Sequence, residues 1–302
     1  MLRSPEETLT SEVPRPFRRH RMVAAALRHT HRDRFGATWH LADSRWAAVA
    51  ESVSRVARAA GQAMPLGDVQ VLCERGRRRV LRVATHQSEH ATVVAKVFAL
   101  SSFHRRVLHR AMGYNRYALG EATNLMTAAQ RGLLVPRVYG YGYAEGRWCL
   151  IQMDLLLIED LASCVSVGQL LNRHAADRSL CDEIMDRTIP VFVGLFRAGC
   201  NHIDVNPGAI LLQHDDWTKA FLLDFEHATF HRTPSLKILA FEAACFSGSC
   251  RRWVGKDTID RWFARLVEAT GVANPGGVKM LTDGFRHHLN RTMSRRERRK
   301  IC

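Results

Sequence analysis

The sequence predicts an α+β fold of two lobes, a smaller β-sheet lobe with one helix followed by a larger helical lobe. Three observations point there. Gly67 to Phe98 contains three β-rich runs separated by polar turns. From Val167 onward, apolar residues recur mostly at helical spacing. Within that helical part, two short apolar runs are each joined to an aspartate: Asp204 precedes the first in His202-Ile203-Asp204-Val205-Asn206-Pro207, and Asp224 ends the second in Phe221-Leu222-Leu223-Asp224-Phe225-Glu226.

In chain order, residues 1 to 40 read as a basic extension of low hydrophobicity, helical at best around Met22 to His29. Ser44 to Ala60 places Trp46, Val49, Val53, Val56 and Ala59 at three-to-four spacing, the pattern of an amphipathic helix. The three β runs follow, then a helix over Tyr114 to Arg131 that Gly132 stops. Two strands are expected at Trp148 to Met153 and Leu155 to Ile158, with Glu159-Asp160-Leu161 as a linker. Ser166 to Arg173 reads as a short helix and Cys181 to Ala198 as a longer one, kinked or broken at Pro190. Further helices are expected at Leu236 to Phe246, Ile259 to Ala269 and Val278 to Leu289. The resulting division is 1–40 basic extension, 41–158 N-terminal lobe with its preceding helix, 159–292 helical lobe and 293–302 basic tail.

Composition narrows the class. A chain of 302 residues with 46% hydrophobic and 24% charged residues can bury a substantial core. No run approaches the roughly 18 consecutive apolar residues of a membrane span, and Met1 to Pro14 lacks the apolar core of a secretory signal, so a cytoplasmic protein is expected. Eight cysteines without a Cys-x-x-Cys pair signal neither a disulfide framework nor a zinc site. The net charge of +15 is concentrated in Arg15 to Arg34 and in Arg295-Arg296-Glu297-Arg298-Arg299-Lys300. Such clusters suit polyanions, an anionic inner-membrane leaflet or nucleic acid; a solvated tail is the plain alternative. No aromatic residues interleave with the C-terminal run and no reader motif occurs, so no specific nucleic-acid partner is expected.

The two aspartates carry the chemistry. A carboxylate in a short loop can accept a proton from an attacking hydroxyl, and a second one after the following strand can hold a magnesium ion that bridges donor phosphates. Each residue alone has an ordinary reading, because lysines on strands, glutamates on helices and Asp-Phe after an apolar run are common.

Taken in order, these segments resemble the protein-kinase-like superfamily, and the pattern at His202 is similar to the Kdo/heptose kinases of the lipopolysaccharide inner core. Val93-Val94-Ala95-Lys96-Val97-Phe98 resembles the strand with the phosphate-binding lysine, and Glu121 in Leu119-Gly120-Glu121-Ala122 stands where its pairing glutamate belongs. Val135-Pro136-Arg137-Val138-Tyr139-Gly140 resembles the turn and strand after that helix in sugar kinases. The resemblance implies a two-lobed protein-kinase-like fold, ATP and Mg2+ as cofactors, and a sugar or glycolipid hydroxyl as acceptor. It implies Asp204 as the base, Lys96 on the donor phosphates, Glu121 as its ion-pair partner, and Asp224 as metal ligand. Glu159 and Leu161 would hold adenine through their backbone, and His202 would brace the loop.

Two departures qualify the pattern. Ala209 stands where an asparagine normally binds a second metal, leaving Glu226, or Asn206 in the same loop, as substitutes. Residues two apart on a strand share a face, so Asp224 and Glu226 are expected side by side if the strand persists. The first hairpin, Cys73 to Arg79, holds a single glycine instead of a glycine-rich loop. These departures keep a weak or inactive nucleotide-binding scaffold as the alternative function.

Overall fold

The structure, a computed structural model, describes residues 22–59, 68–87, 90–100, 103–104, 106, 117–146, 151–215, 217–291, 293, 295–298 and 301. Most of the N-terminal arginine cluster (Arg15, Arg18, Arg19 and Arg21), the expected helix start at Tyr114, Trp148, and Arg299-Lys300 lie outside the described residues.

The chain divides into two compact units: Pro14–Thr127 with Pro136–Leu161, and Ala128–Val135 with Ala162–Cys302. The first is built on one antiparallel sheet of seven strands: β1 (His29–Arg32), β2 (Ala37–Leu41), β3 (Val69–Arg75), β4 (Arg78–Gln87), β5 (His90–Ala99), β6 (Val138–Glu145) and β7 (Ile151–Glu159). Their order across the sheet is β1-β2-β6-β7-β5-β4-β3. Strand alternation sends Val93, Ala95 and Val97 of β5 and Leu155 and Leu157 of β7 into one core. Helix α1 (Ala47–Arg58) covers that face with Val49, Ala50, Val53 and Val56, as its spacing requires.

The opposite face carries helix α2 (Tyr117–Gln130). Asp154 on β7, fully buried, accepts the amide of Ala118 at 2.8 Å and so satisfies a donor at the helix start. The Tyr117 ring stacks on Phe98 of β5 with centroids 5.5 Å apart. Both anchors lie on the face that also holds Lys96.

Two expectations need correction here. Residues 29–41, all but the last expected within a basic extension, form a hairpin that extends the sheet, because β2 pairs with β6 from Ala37–Ala144 to Leu41–Gly140. Asp33 fixes this hairpin: it accepts the amides of Phe35 and Ala37 and the indole of Trp39, whose ring is fully buried. The two strands expected around Asp154 are one continuous strand, since Asp154 is buried and bonded rather than a solvated break.

The second unit is mainly helical. Short β8 (Cys164–Ser166) leads into α3 (Val167–Arg173), which opens with a capping box in which Ser166 and Gln169 bond reciprocally. Next come α4 (Arg178–Asp186) and α5 (Ile189–Arg197), separated just before Pro190, which takes a position at the first turn of α5. β9 (Cys200–Asn201) pairs with β12 (Thr229–Phe230), and between them β10 (Ile210–Gln213) pairs with β11 (Ala220–Leu222) and with β8. Helices α6 (Leu236–Cys250), α7 (Lys256–Thr270) and α8 (Pro275–Leu289) follow, and the tail ends in a single turn, α9 (Arg295–Arg298). Phe192, Phe246 and Trp262 pack with ring centroids 5.1 to 5.3 Å apart and tie α5, α6 and α7 together. No helix among the described residues is long and apolar enough to cross a membrane.

Candidate active site

In the sheet unit, Lys96 and Glu121 form a buried ion pair, Lys96 projecting from β5 and Glu121 from α2. Lys96 is 7% exposed and Glu121 is fully buried. Two charges removed from water together persist because each compensates the other, and a lysine so held presents its ammonium at a fixed place. The ordinary reading of a strand lysine with its head in solvent does not apply.

The expected linker is pinned at its start. Asp160 takes a two-pronged contact from Arg82, at 2.6 and 3.3 Å, and the Thr92 hydroxyl at 2.6 Å. The Glu159 amide donates to Arg137 O at 2.9 Å, and its carboxylate accepts the Arg137 amide at 3.1 Å. The Glu159 side chain therefore braces the neighbouring segment, while Leu161 follows where the strand has ended. Sequence reasoning did not single out Asp160 as the pin. At the first hairpin, Gly76 provides the positive φ of 59° that the turn requires. Two of the hairpin's arginines are engaged within the sheet unit: Arg79 pairs with Glu74 at 2.7 Å and Arg78 lies over the Phe98 ring.

In the helical unit, the catalytic-loop candidate is held from beneath. His202 is fully buried on β9's continuation, and its Nε2 donates to Leu223 O at 2.7 Å, joining the segment before Asp204 to the segment before Asp224. Its ring meets Phe225 edge-on at 4.9 Å. Burial lowers its pKa, so it stays neutral, and a neutral ring with its proton on Nε2 suits a brace.

Glu242 on α6 completes this support. It is fully buried and accepts the backbone amides of His202 and Ile203. Desolvation pushes its pKa up to about 8 despite those two bonds. Ile203, fully buried, has φ 73°, a genuine outlier for a β-branched residue. Strain of that kind costs about 1–3 kcal/mol and persists only where the surroundings impose it. Here the two amides bonded to Glu242 impose it, and the turn leads directly into Asp204, which is partly exposed.

Further back, Arg131 donates to the carbonyls of Ala198 and His231 at 2.6 and 2.7 Å, clamping the two chain segments that enter β9 and leave β12. Gly199 between them has φ 59°, and a Cβ there would meet His231 O at 2.7 Å, so only glycine fits.

Asp204 and Asp224 thus lie on one braced loop system. Beyond Asp204, the Asn206 side chain closes the loop on itself: its Nδ2 donates to Asp204 O at 2.8 Å and its Oδ1 accepts the Gly208 amide at 2.9 Å. Ala209 is buried, and its carbonyl accepts the Leu223 amide at 2.9 Å. The expectation that Asp224 and Glu226 share a strand face is overturned. β11 ends at Leu222, Asp224 adopts the left-handed region with φ 62°, and Phe225–His227 form a 3-10 turn that places Glu226 3.5 Å from His227 Nε2.

No cluster of three or more His, Cys, Asp or Glu that could hold a metal occurs among the described residues. An exposed hard carboxylate such as Asp224 still fits magnesium, which takes one or two carboxylates plus phosphate oxygens and water. Sequence reasoning missed Glu242, Arg131 and Asp154. Glu242 alone left a signal, a single acid inside the apolar run Leu236 to Phe246.

A family model described as the Lipopolysaccharide kinase (Kdo/WaaP) family matches residues 70–238. Among solved structures, one titled "WaaP in complex with acyl carrier protein" shares the fold, with a TM-score of 0.52 and 17% identity over 77% of this chain and 88% of that one. No curated protein matches the sequence.

Proposed function

The chain belongs to the lipopolysaccharide kinase (Kdo/WaaP) family, a family of kinases acting on lipopolysaccharide sugars, and we propose that it transfers the γ-phosphoryl group of ATP to a sugar hydroxyl of an inner-core precursor. The observation that carries this reading is Asp204, partly exposed and set by a strained turn that His202 and Glu242 hold in place.

In this reading Asp204 accepts the proton of the acceptor hydroxyl as its oxygen attacks the γ-phosphorus, and the bond to the bridging oxygen breaks with ADP leaving. Lys96, fixed by Glu121, neutralises charge on the donor phosphates. Asp224 would hold magnesium, which supplies charge neutralisation between the phosphates; Glu226 is the further carboxylate candidate. Glu159 and Leu161 would meet adenine through backbone groups. A cytoplasmic protein with basic ends suits an acceptor presented at the anionic inner leaflet. Incubating the purified protein with labelled ATP, magnesium and a panel of lipopolysaccharide precursors tests the proposal, and label should enter a precursor sugar.

Ala209 favours a second reading, a nucleotide-binding scaffold with weak or no turnover. Its buried methyl cannot coordinate a metal. ATP binding without magnesium-dependent transfer would establish that reading.

A further inference from the structure

The helical unit contains a cavity of about 700 Å³ that begins where the Asp204 loop ends. Asn206, Pro207 and Gly208 form one wall, the start of α3 another, and the residues after α6 a third. The walls are joined: the Gly168 amide donates to Pro207 O at 2.8 Å, and Trp253 Nε1 donates to Asn172 Oδ1 at 3.0 Å. A Cβ at Gly168 would lie 3.4 Å from the Trp253 ring and 3.5 Å from Pro207, so the floor is closely packed.

The polar atoms this cavity offers are mainly donors. Gln169 Oε1 is taken by Ser166, and Asn172 Oδ1 by Trp253, so each amide turns its NH2 group to a ligand. Arg252 adds a guanidinium 3.8 Å from the centroid of Trp253, a stacked position that holds it at the rim. No carboxylate lines the cavity. A lining with a guanidinium and two amides but no carboxylate favours a ligand rich in oxygen acceptors, and the guanidinium selects a negative group with matching geometry.

We propose that this cavity is the acceptor subsite, in which Arg252, Gln169 and Asn172 bind the anionic substituent, carboxylate or phosphate, of the acceptor sugar. The proposal rests on the kinase reading above and adds which residues choose the substrate. One wall of the cavity, Asn206 to Gly208, begins two residues after the proposed base, and the groups that select the ligand are not those that react.

The test uses a deacylated inner-core oligosaccharide, its carboxyl-reduced form and its dephosphorylated form. Binding is measured by calorimetry and transfer by labelled ATP, on the full-length protein and on Arg252→Ala and Asn172→Ala. Because Arg252 is exposed, its removal spares the core. Arg252→Ala should weaken binding of the intact oligosaccharide at least about tenfold, the usual worth of a charged hydrogen bond, with ATP affinity unchanged. One stripped form should bind wild type as weakly as the intact form binds Arg252→Ala, which identifies the group. Equal binding of the intact oligosaccharide to wild type and Arg252→Ala overturns the subsite, as does an equal loss of ATP affinity. Absence of transfer by wild type to any of the three forms defeats the kinase reading instead, and the calorimetric comparison still decides the subsite.

Discussion

Arg298 donates to Oδ1 of Asp204 at 3.2 Å and, from the same nitrogen, to Ile203 O at 3.4 Å, so the C-terminal tail returns to the catalytic loop 94 residues away. Its Nε donates to Met293 O at 3.1 Å, which fixes the tail's own turn. The loop His202 to Leu212 carries no lysine or arginine of its own. Arg298 therefore brings a cation to the carboxylate proposed as the base. The basic tail is not merely solvated.

Replacing Arg298 by alanine should lower kcat about tenfold, the loss expected when a charge-assisted hydrogen bond that orients a reacting group is removed. The KM for ATP should stay the same. Both side chains are partly exposed, so the melting temperature should move little, since such pairs contribute at most about 1 kcal/mol. Steady-state kinetics decides it: a variant as fast as wild type, or faster, shows that the arginine only covers the carboxylate.

Glu242 should give the fold a pH dependence. Its pKa is about 8 in the folded chain against 4.5 for an unperturbed glutamate, so this group's contribution to stability is fully present at low pH. It is lost as pH rises through about 8, with a slope approaching about 1.4 kcal/mol per pH unit in between. Glu242→Gln keeps an acceptor oxygen for the two amides and removes the charge. Denaturant unfolding between pH 5 and 9 should show wild type weakening with pH and the glutamine variant changing less; parallel curves would contradict the assignment.

The buried pair in the sheet unit gives a double-mutant test. Lys96→Met leaves Glu121 buried without its countercharge and should cost about 3–5 kcal/mol, while Lys96→Met with Glu121→Leu should recover most of that. Neither form should turn over. Additive losses in chemical denaturation would mean that the two side chains do not depend on one another.

For the metal, Asp224→Asn should abolish transfer. Glu226→Gln should raise the magnesium concentration needed for half-maximal rate only if the 3-10 turn at Phe225–His227 brings it to the ion. An unchanged magnesium titration assigns Glu226 to its contact with His227 alone.

Much of the fold was legible because its signals are local. The alternation at Val93 to Phe98, the helical spacing at Trp46 to Val56 and the break at Pro190 are set by neighbours in sequence. β1 and β2 were not, because both are short and His29–Arg32 is wholly polar; β2 becomes a strand by pairing with β6, and β1 by pairing with β2. The order of Lys96, Glu121, Asp204 and Asp224 was readable, but their supports were not. Glu242, Arg131 and Arg298 act across 40, 67 and 94 residues on backbone groups or on Asp204, and such bonds leave no periodic pattern. The Asp224–Glu226 expectation failed because it extended strand alternation past Leu222, where the backbone turns left-handed.

Transfer of labelled phosphate from ATP to a lipopolysaccharide precursor, with and without magnesium and alongside Asp204→Ala, tests the kinase assignment most directly. The expected result is label on a precursor sugar that requires magnesium and falls by orders of magnitude in Asp204→Ala. Wild-type protein that binds ATP, yet transfers no more phosphate than Asp204→Ala to any precursor, would contradict it.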